Sequence, residues 1–162
     1  MLLELVVENY AVVERLRVRF HPGLNLLTGE TGSGKSIVVD ALGLLFGSRA
    51  STDMIRSGED RARVSGIFHV GEEALPEGIA AEDGELLIER EILANGKSRA
   101  FAGSRPVTAA LLRELAPLLG DIHGQHDQQL LFSRESQLQM LDAAAGSGEL
   151  LARTGAAYNS WR

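Results

Sequence analysis

The chain has 162 residues, 44% of them hydrophobic and 23% charged, enough for one domain with a sizeable core and ordinary for a soluble protein. It contains no cysteine, which excludes a disulfide framework and a thiolate metal site and agrees with a reducing, cytosolic setting. The early acids Glu4 and Glu8 do not suit a signal peptide, no apolar run reaches a membrane span, and the net charge of −6 argues against a domain coated in basic residues while leaving room for a local basic patch.

In chain order, residues 2–7 and 13–20 read as two strands joined by a turn around Asn9-Tyr10. Arg15, Arg17 and Arg19 alternate with Leu16, Val18 and Phe20, so the three arginines share one face of the second strand. His21-Pro22-Gly23 is a turn into the apolar run 24–28, which reads as a buried strand. Residues 37–46 carry apolar positions through a helix that ends near Gly47, and 48–60 are loop with a short helical turn. Residues 63–70 form the next strand, and the acidic stretch 71–84 is an insertion. Strands over 85–93 and 98–102 flank Asn95-Gly96, a dipeptide favoured in hairpins. Thr108 caps a helix over 109–115, residues 118–122 form a short strand, and helices follow over 136–145 and from 149 onward. Early hairpin-like strands followed by helices predict an α/β domain with an antiparallel β portion and flanking helices.

Between the strand 24–28 and the helix lies Gly29-Glu30-Thr31-Gly32-Ser33-Gly34-Lys35-Ser36, a full match to the phosphate-binding pattern G-x-x-x-x-G-K-[ST]. The glycines let backbone N–H groups converge on phosphate oxygens. The helix opening near Lys35 and Ile37 adds its unsatisfied donors and positive dipole end. Lys35 is placed to reach the β- and γ-phosphates, and the Ser36 hydroxyl to ligate Mg2+. A nucleoside triphosphate is the expected ligand.

The loop together with Leu5-x-x-Glu8-Asn9-Tyr10-Ala11-Val12-Val13-Glu14, Asp53-Met-Ile-Arg-Ser-Gly58, Asn95-Gly-Lys-Ser-Arg-Ala-Phe101 and Asp121-Ile-His-Gly-Gln-His-Asp127 resembles the N-terminal head segment of the RecN family. These are bacterial double-strand-break-repair ATPases related to the SMC proteins. The resemblance implies a P-loop NTPase of the ABC/SMC head type, with residues 1–147 the N-terminal half of the head and 148–162 the start of a coiled-coil helix. It implies ATP and Mg2+ as cofactors and DNA as a partner, mainly through the complete protein. It also implies pairing with the C-terminal half of the same head, a homodimer through ATP-sandwiched heads, no membrane, and a cytoplasmic, nucleoid-associated location. No apolar run ending in Asp-Glu and no Leu-Ser-Gly-Gly-like stretch follows the loop. In the family both lie in the C-terminal half, so this segment alone is expected to be a poor ATPase.

By the same resemblance, His123-Gly-Gln125-His126-Asp127 falls at the loop that senses the γ-phosphate. Gln125 is the first choice to touch Mg2+ or the attacking water, with His123 the alternative register. A zinc site from His123, His126 and Asp127 and a plain polar turn are the competing readings. Arg56 resembles a basic loop residue that approaches phosphate, and a solvated loop arginine is its rival. Asn9 and Tyr10 fall where the adenine is contacted, although an aromatic there is also ordinary core. The arginine row is read first as a solvated strand face, and second as a contact for DNA phosphates helped by Lys97 and Arg99. The rival functions are a non-hydrolysing, ATP-dependent dimerisation module and a small kinase or GTPase. For the last, the guanine-reading Asn-Lys-x-Asp is missing.

Overall fold

The computed structural model describes residues 1–29, 34–71, 75–122 and 134–162, without the side chains of 135, 136 and 139. It divides into two compact units, Met1–Asp121 and Ile122–Arg162.

The first unit is built on a six-stranded antiparallel sheet in the order β2-β1-β3-β4-β5-β6. The strands are β1 (Leu2–Tyr10), β2 (Val13–Arg19), β3 (Arg61–His69), β4 (Glu85–Leu93), β5 (Ser98–Ala102) and β6 (Arg105–Val107). Alternation decides which face is buried. Leu5 and Val7 of β1, Ala62, Val64 and Phe68 of β3, and Leu86, Ile88 and Ile92 of β4 point to one side and are buried there. Helix α1 (Lys35–Leu45) packs on β3 and β4 through this side, burying Val38, Ala41, Leu44 and Leu45. Truncating a fully buried leucine such as Leu45 to alanine would cost about 2–5 kcal/mol.

Helix α2 (Ala109–Leu119) adds Leu112, Leu115 and Leu119 to the same core. It starts where expected, because the Thr108 hydroxyl accepts from the Leu111 N–H at 3.1 Å. It runs four residues past the expected end, with Pro117 inside its last turn. A proline there has no N–H to donate to the preceding turn, so the helix reaches its end one hydrogen bond short. Arg90 is also buried on the core side, with its Nε unpartnered. Burial lowers its pKa, and the nearby charge of Arg113 lowers it further.

Two expected strands are absent. Residues 118–122 are the end of α2 and its exit, not a strand. Residues 24–28 form no strand either, and Leu24, Leu26 and Leu27 are 93%, 80% and 46% exposed. An apolar run becomes a buried strand only when a neighbouring strand supplies hydrogen bonds and cover, and none does so among the described residues. The turn before it does form. The Asn25 side chain accepts from the His21 N–H at 3.0 Å and donates to the His21 carbonyl at 2.7 Å.

The β4–β5 hairpin closes through Ala94-Asn95-Gly96, with Leu93 and Lys97 paired at 2.9 Å and Gly96 at φ 80°. It is thus a three-residue loop rather than a two-residue turn on Asn95-Gly96.

The second unit contains α3 (Arg134–Ala144) and α4 (Gly148–Trp161). Tyr158 and Trp161 of α4 place their rings 6.0 Å apart, and Leu150, Leu151 and Trp161 are exposed. Among the described residues, no helix is long and apolar enough to cross a membrane.

Candidate nucleotide-binding site

The amino end of α1 is built for an anion. Gly34, its N-cap, sits at φ 92° and ψ 3° and provides no side-chain cap. The left-handed φ suits glycine. No acid stands in the first turn, so the helix's own chain does not neutralise its positive end. The Ile37 N–H donates to the Gly34 carbonyl at 3.1 Å, closing a tight first turn. Lys35 bends back so that its Nζ donates to the Gly29 carbonyl. Ser36 is exposed beside it. The donor set (N–H groups, one ammonium and one hydroxyl) fits a triphosphate with Mg2+. Glu30, Thr31, Gly32 and Ser33 lie outside the described residues, as do His123, Gln125, His126 and Asp127 of the second motif and of the zinc reading. Among the described residues no group of three potential metal-binding side chains is found.

Asn9, Tyr10 and Arg56 are brought together. The Arg56 N–H donates to the Asn9 carbonyl at 2.9 Å, and the Ala11 N–H to the Met54 carbonyl at 2.8 Å. The segment around the short helix Thr52–Met54 is thereby tied to the β1–β2 turn. Asn9 and Ala11 both take left-handed backbone, φ 50° and 49°, a strained choice for residues with a Cβ. The Asn9 amide donates to Glu59 at 3.0 Å, and Arg56 pairs with Glu14 at 3.5 Å.

Tyr10 itself is only 3% exposed. Its phenol pKa is raised by burial first and by the charge of Asp40 second. The ring therefore packs in the core and offers no open face to a base.

The three arginines of β2 share one face, as expected, but each has an acidic partner. Arg15 pairs with Glu8 at 3.6 Å, and Arg17 and Arg19 with Glu4 at 2.9 and 3.0 Å. The same ion-pair pattern continues through Arg61, Arg63 and Arg99 with Glu89 and Glu91. The alternation Arg61-x-Arg63 and Glu89-x-Glu91 was visible in the sequence, but the adjacency of β1 and β3 that joins the two halves was not. The hydrogen bonds from Arg17 and then Arg19 hold the Glu4 carboxyl below its ordinary value of 4.5. The Arg63 pKa is raised, chiefly by its hydrogen bond to Glu89.

Comparison with known proteins follows the same lines. A family model described as an AAA domain matches residues 4–139. The DNA repair protein RecN of Vibrio cholerae is 44% identical over 168 residues, covering all of this chain and 30% of that protein. RecN of Bacillus subtilis is 46% identical over 153 residues, covering 91% of this chain and 27% of that protein. The chain thus spans about three tenths of the length of the curated relatives it matches. A solved SMC ATPase, described for its ATP-driven dimerization and DNA-stimulated activation, superposes with a TM-score of 0.64 at 21% identity. The match covers 87% of this chain and 97% of that one. The fold is that of the N-terminal segment of an SMC-type P-loop ATPase head.

Proposed function

The chain belongs to the AAA domain family, and from that membership and its likeness to RecN we propose that it is the ATP-binding N-terminal part of a RecN-like, SMC-related protein acting in DNA double-strand-break repair and recombination. The observation that carries this is the amino end of α1, with neither a capping side chain nor an acid in its first turn and with Lys35 hydrogen-bonded back to the Gly29 carbonyl.

In this reading residues 1–147 are the first half of an ATPase head, and 148–162 begin a coiled coil. Residues 29–37 bind the phosphates of ATP. Lys35 neutralises the β- and γ-phosphates, and Ser36 faces Mg2+, which supplies charge neutralisation during phosphoryl transfer. Arg56 and Asn9 border the site, with Tyr10 as the buried prop beneath them. Gln125, or His123 in the other register, orients the attacking water.

The C-terminal half of the head supplies the missing carboxylates and covers residues 24–28, whose exposed leucines call for a neighbour. ATP sandwiched between two heads joins them and hydrolysis releases them, in the cytoplasm on the nucleoid. DNA is held mainly by the complete protein.

Measuring ATP turnover of this segment with and without the rest of the protein tests the reading. Turnover should rise strongly when the rest is present. ATP binding that dimerises the complete protein without turnover would favour the non-hydrolysing interaction module instead.

A further inference from the structure

On the face opposite α1 and α2, the sheet presents rows of charge that alternate strand by strand. β2 carries Arg15, Arg17 and Arg19, β1 carries Glu4 and Glu8, β3 carries Arg61 and Arg63, β4 carries Glu89 and Glu91, and β5 carries Arg99. Arg61 meets Glu91 at 3.3 Å, Arg63 meets Glu89, and Arg99 meets Glu91 at 3.7 Å. Glu85 stands beyond these rows, opposite His69 at the far end of β3 and β4.

The two signs do not lie at the same height. The arginine side chains of the ladder are 50–71% exposed, and the glutamates only 14–35%. The carboxylates lie low against the sheet and the guanidiniums ride above them. A guanidinium has five N–H donors, and one or two suffice for the carboxylate below, so the rest point outward. Exposed ion pairs of this kind add at most about 1 kcal/mol each to stability. What they do accomplish is to hold six flexible cations upright in rows about 10 Å apart, twice the strand spacing. Six arginines against four carboxylates leave the ladder at +2 in a chain of −6, hence −8 elsewhere.

We propose that this face of the sheet binds the phosphate backbone of DNA. The proposal rests on the reading of the chain as part of a DNA-repair protein. Planar guanidinium forks match phosphate oxygens in pairs, and rows of upright cations, with open hollows between them such as those lined by Glu8, Arg15, Arg61 and Arg63 and by Arg63, Glu89 and Glu91, suit a backbone rather than base edges. The acidic remainder repels the polyanion from the other surfaces, so the ladder is where it can approach. Binding of this kind is independent of sequence and steep in salt.

The experiment uses the complete protein and a labelled duplex, with affinity measured by anisotropy over a range of salt. Arg17→Gln/Arg63→Gln/Arg99→Gln removes one cation from each of three strands. It should weaken binding and lower the slope of log affinity against log salt by about two to three. Glu89→Gln/Glu91→Gln removes the carboxylates under Arg61, Arg63 and Arg99 and should tighten binding. A mere solvated ion-pair face would not show that gain. Arg153→Gln on α4 serves as control and should match the parent.

ATP affinity, measured on the same variants, should stay at the parent value and certifies the fold. Parent slopes in both ladder variants, with ATP binding intact, would overturn the proposal. So would an acidic polypeptide such as polyglutamate displacing DNA while responding more strongly than DNA to the two glutamate changes. Failure of the ATP reading would show separately, as absence of ATP binding by the parent.

Discussion

Gly47 lies against the carbonyl oxygen of Ala109, so close that a Cβ built on Gly47 would stand 2.5 Å from it and 3.0 Å from the Arg113 amide nitrogen. These are backbone atoms of α2, which cannot swing aside as a side chain would. The residue also sits at φ 87°. Gly47→Ala should therefore cost about 2–4 kcal/mol through strain and overpacking together. A urea midpoint within about 1 kcal/mol of the parent would show that α1 and α2 are less tightly joined than this.

Lys35→Ala in the complete protein should abolish ATP binding while leaving the fold intact. The ammonium contributes a hydrogen bond to Gly29 and no core packing, so its loss removes charge at the phosphates and little else. Calorimetric titration with ATP, beside a thermal melt, checks both halves. Equal ATP affinity in mutant and parent would end the assignment of this loop.

Gln125→Ala in the complete protein should keep ATP affinity within a few-fold and slow hydrolysis by about tenfold or more, the usual cost of one lost contact to water or metal. His123→Ala should do less. A reversed order in steady-state assays would move the register of the motif by two residues.

The Glu4 carboxyl, hydrogen-bonded by Arg17 and Arg19, titrates below its ordinary value of 4.5. A depressed folded pKa adds stability above the unfolded value, and this is lost as pH falls through the folded one. The parent should thus lose stability below about pH 4.5 more steeply than Glu4→Gln. Denaturation midpoints across that range decide it, and parallel curves would mean the pair is fully screened by solvent.

Local chemistry made much of this fold readable from sequence. The Arg15-x-Arg17-x-Arg19 alternation gave β2, the Thr108 cap gave the start of α2, and the phosphate-loop pattern gave the opening of α1 at Lys35. What failed depended on distant neighbours. Residues 24–28 and 118–122 have the composition of strands, but composition does not say whether a partner strand is present. Tyr10 was open to two readings because its neighbours, Asn9 and Ala11, take left-handed backbone. Such a turn re-aims the side chain between them in a way that a two-residue period cannot foresee. Arg61 and Arg63 joined the arginines of β2 only once β3 was seen to lie beside β1.

The arginine row also guards a boundary. β2 is the last strand of the sheet at its end, and among the described residues no further strand pairs with its outer edge. A copy arriving antiparallel and centred on Arg17 would set Arg17 against Arg17 and Arg15 against Arg19, like charges directly opposed at each of these positions on the arginine face. At the other end β6 has only three residues, with Pro106 in the middle, and proline withholds an N–H that an incoming strand would need. Like charges at one margin and a proline at the other thus oppose the addition of a further strand at either edge.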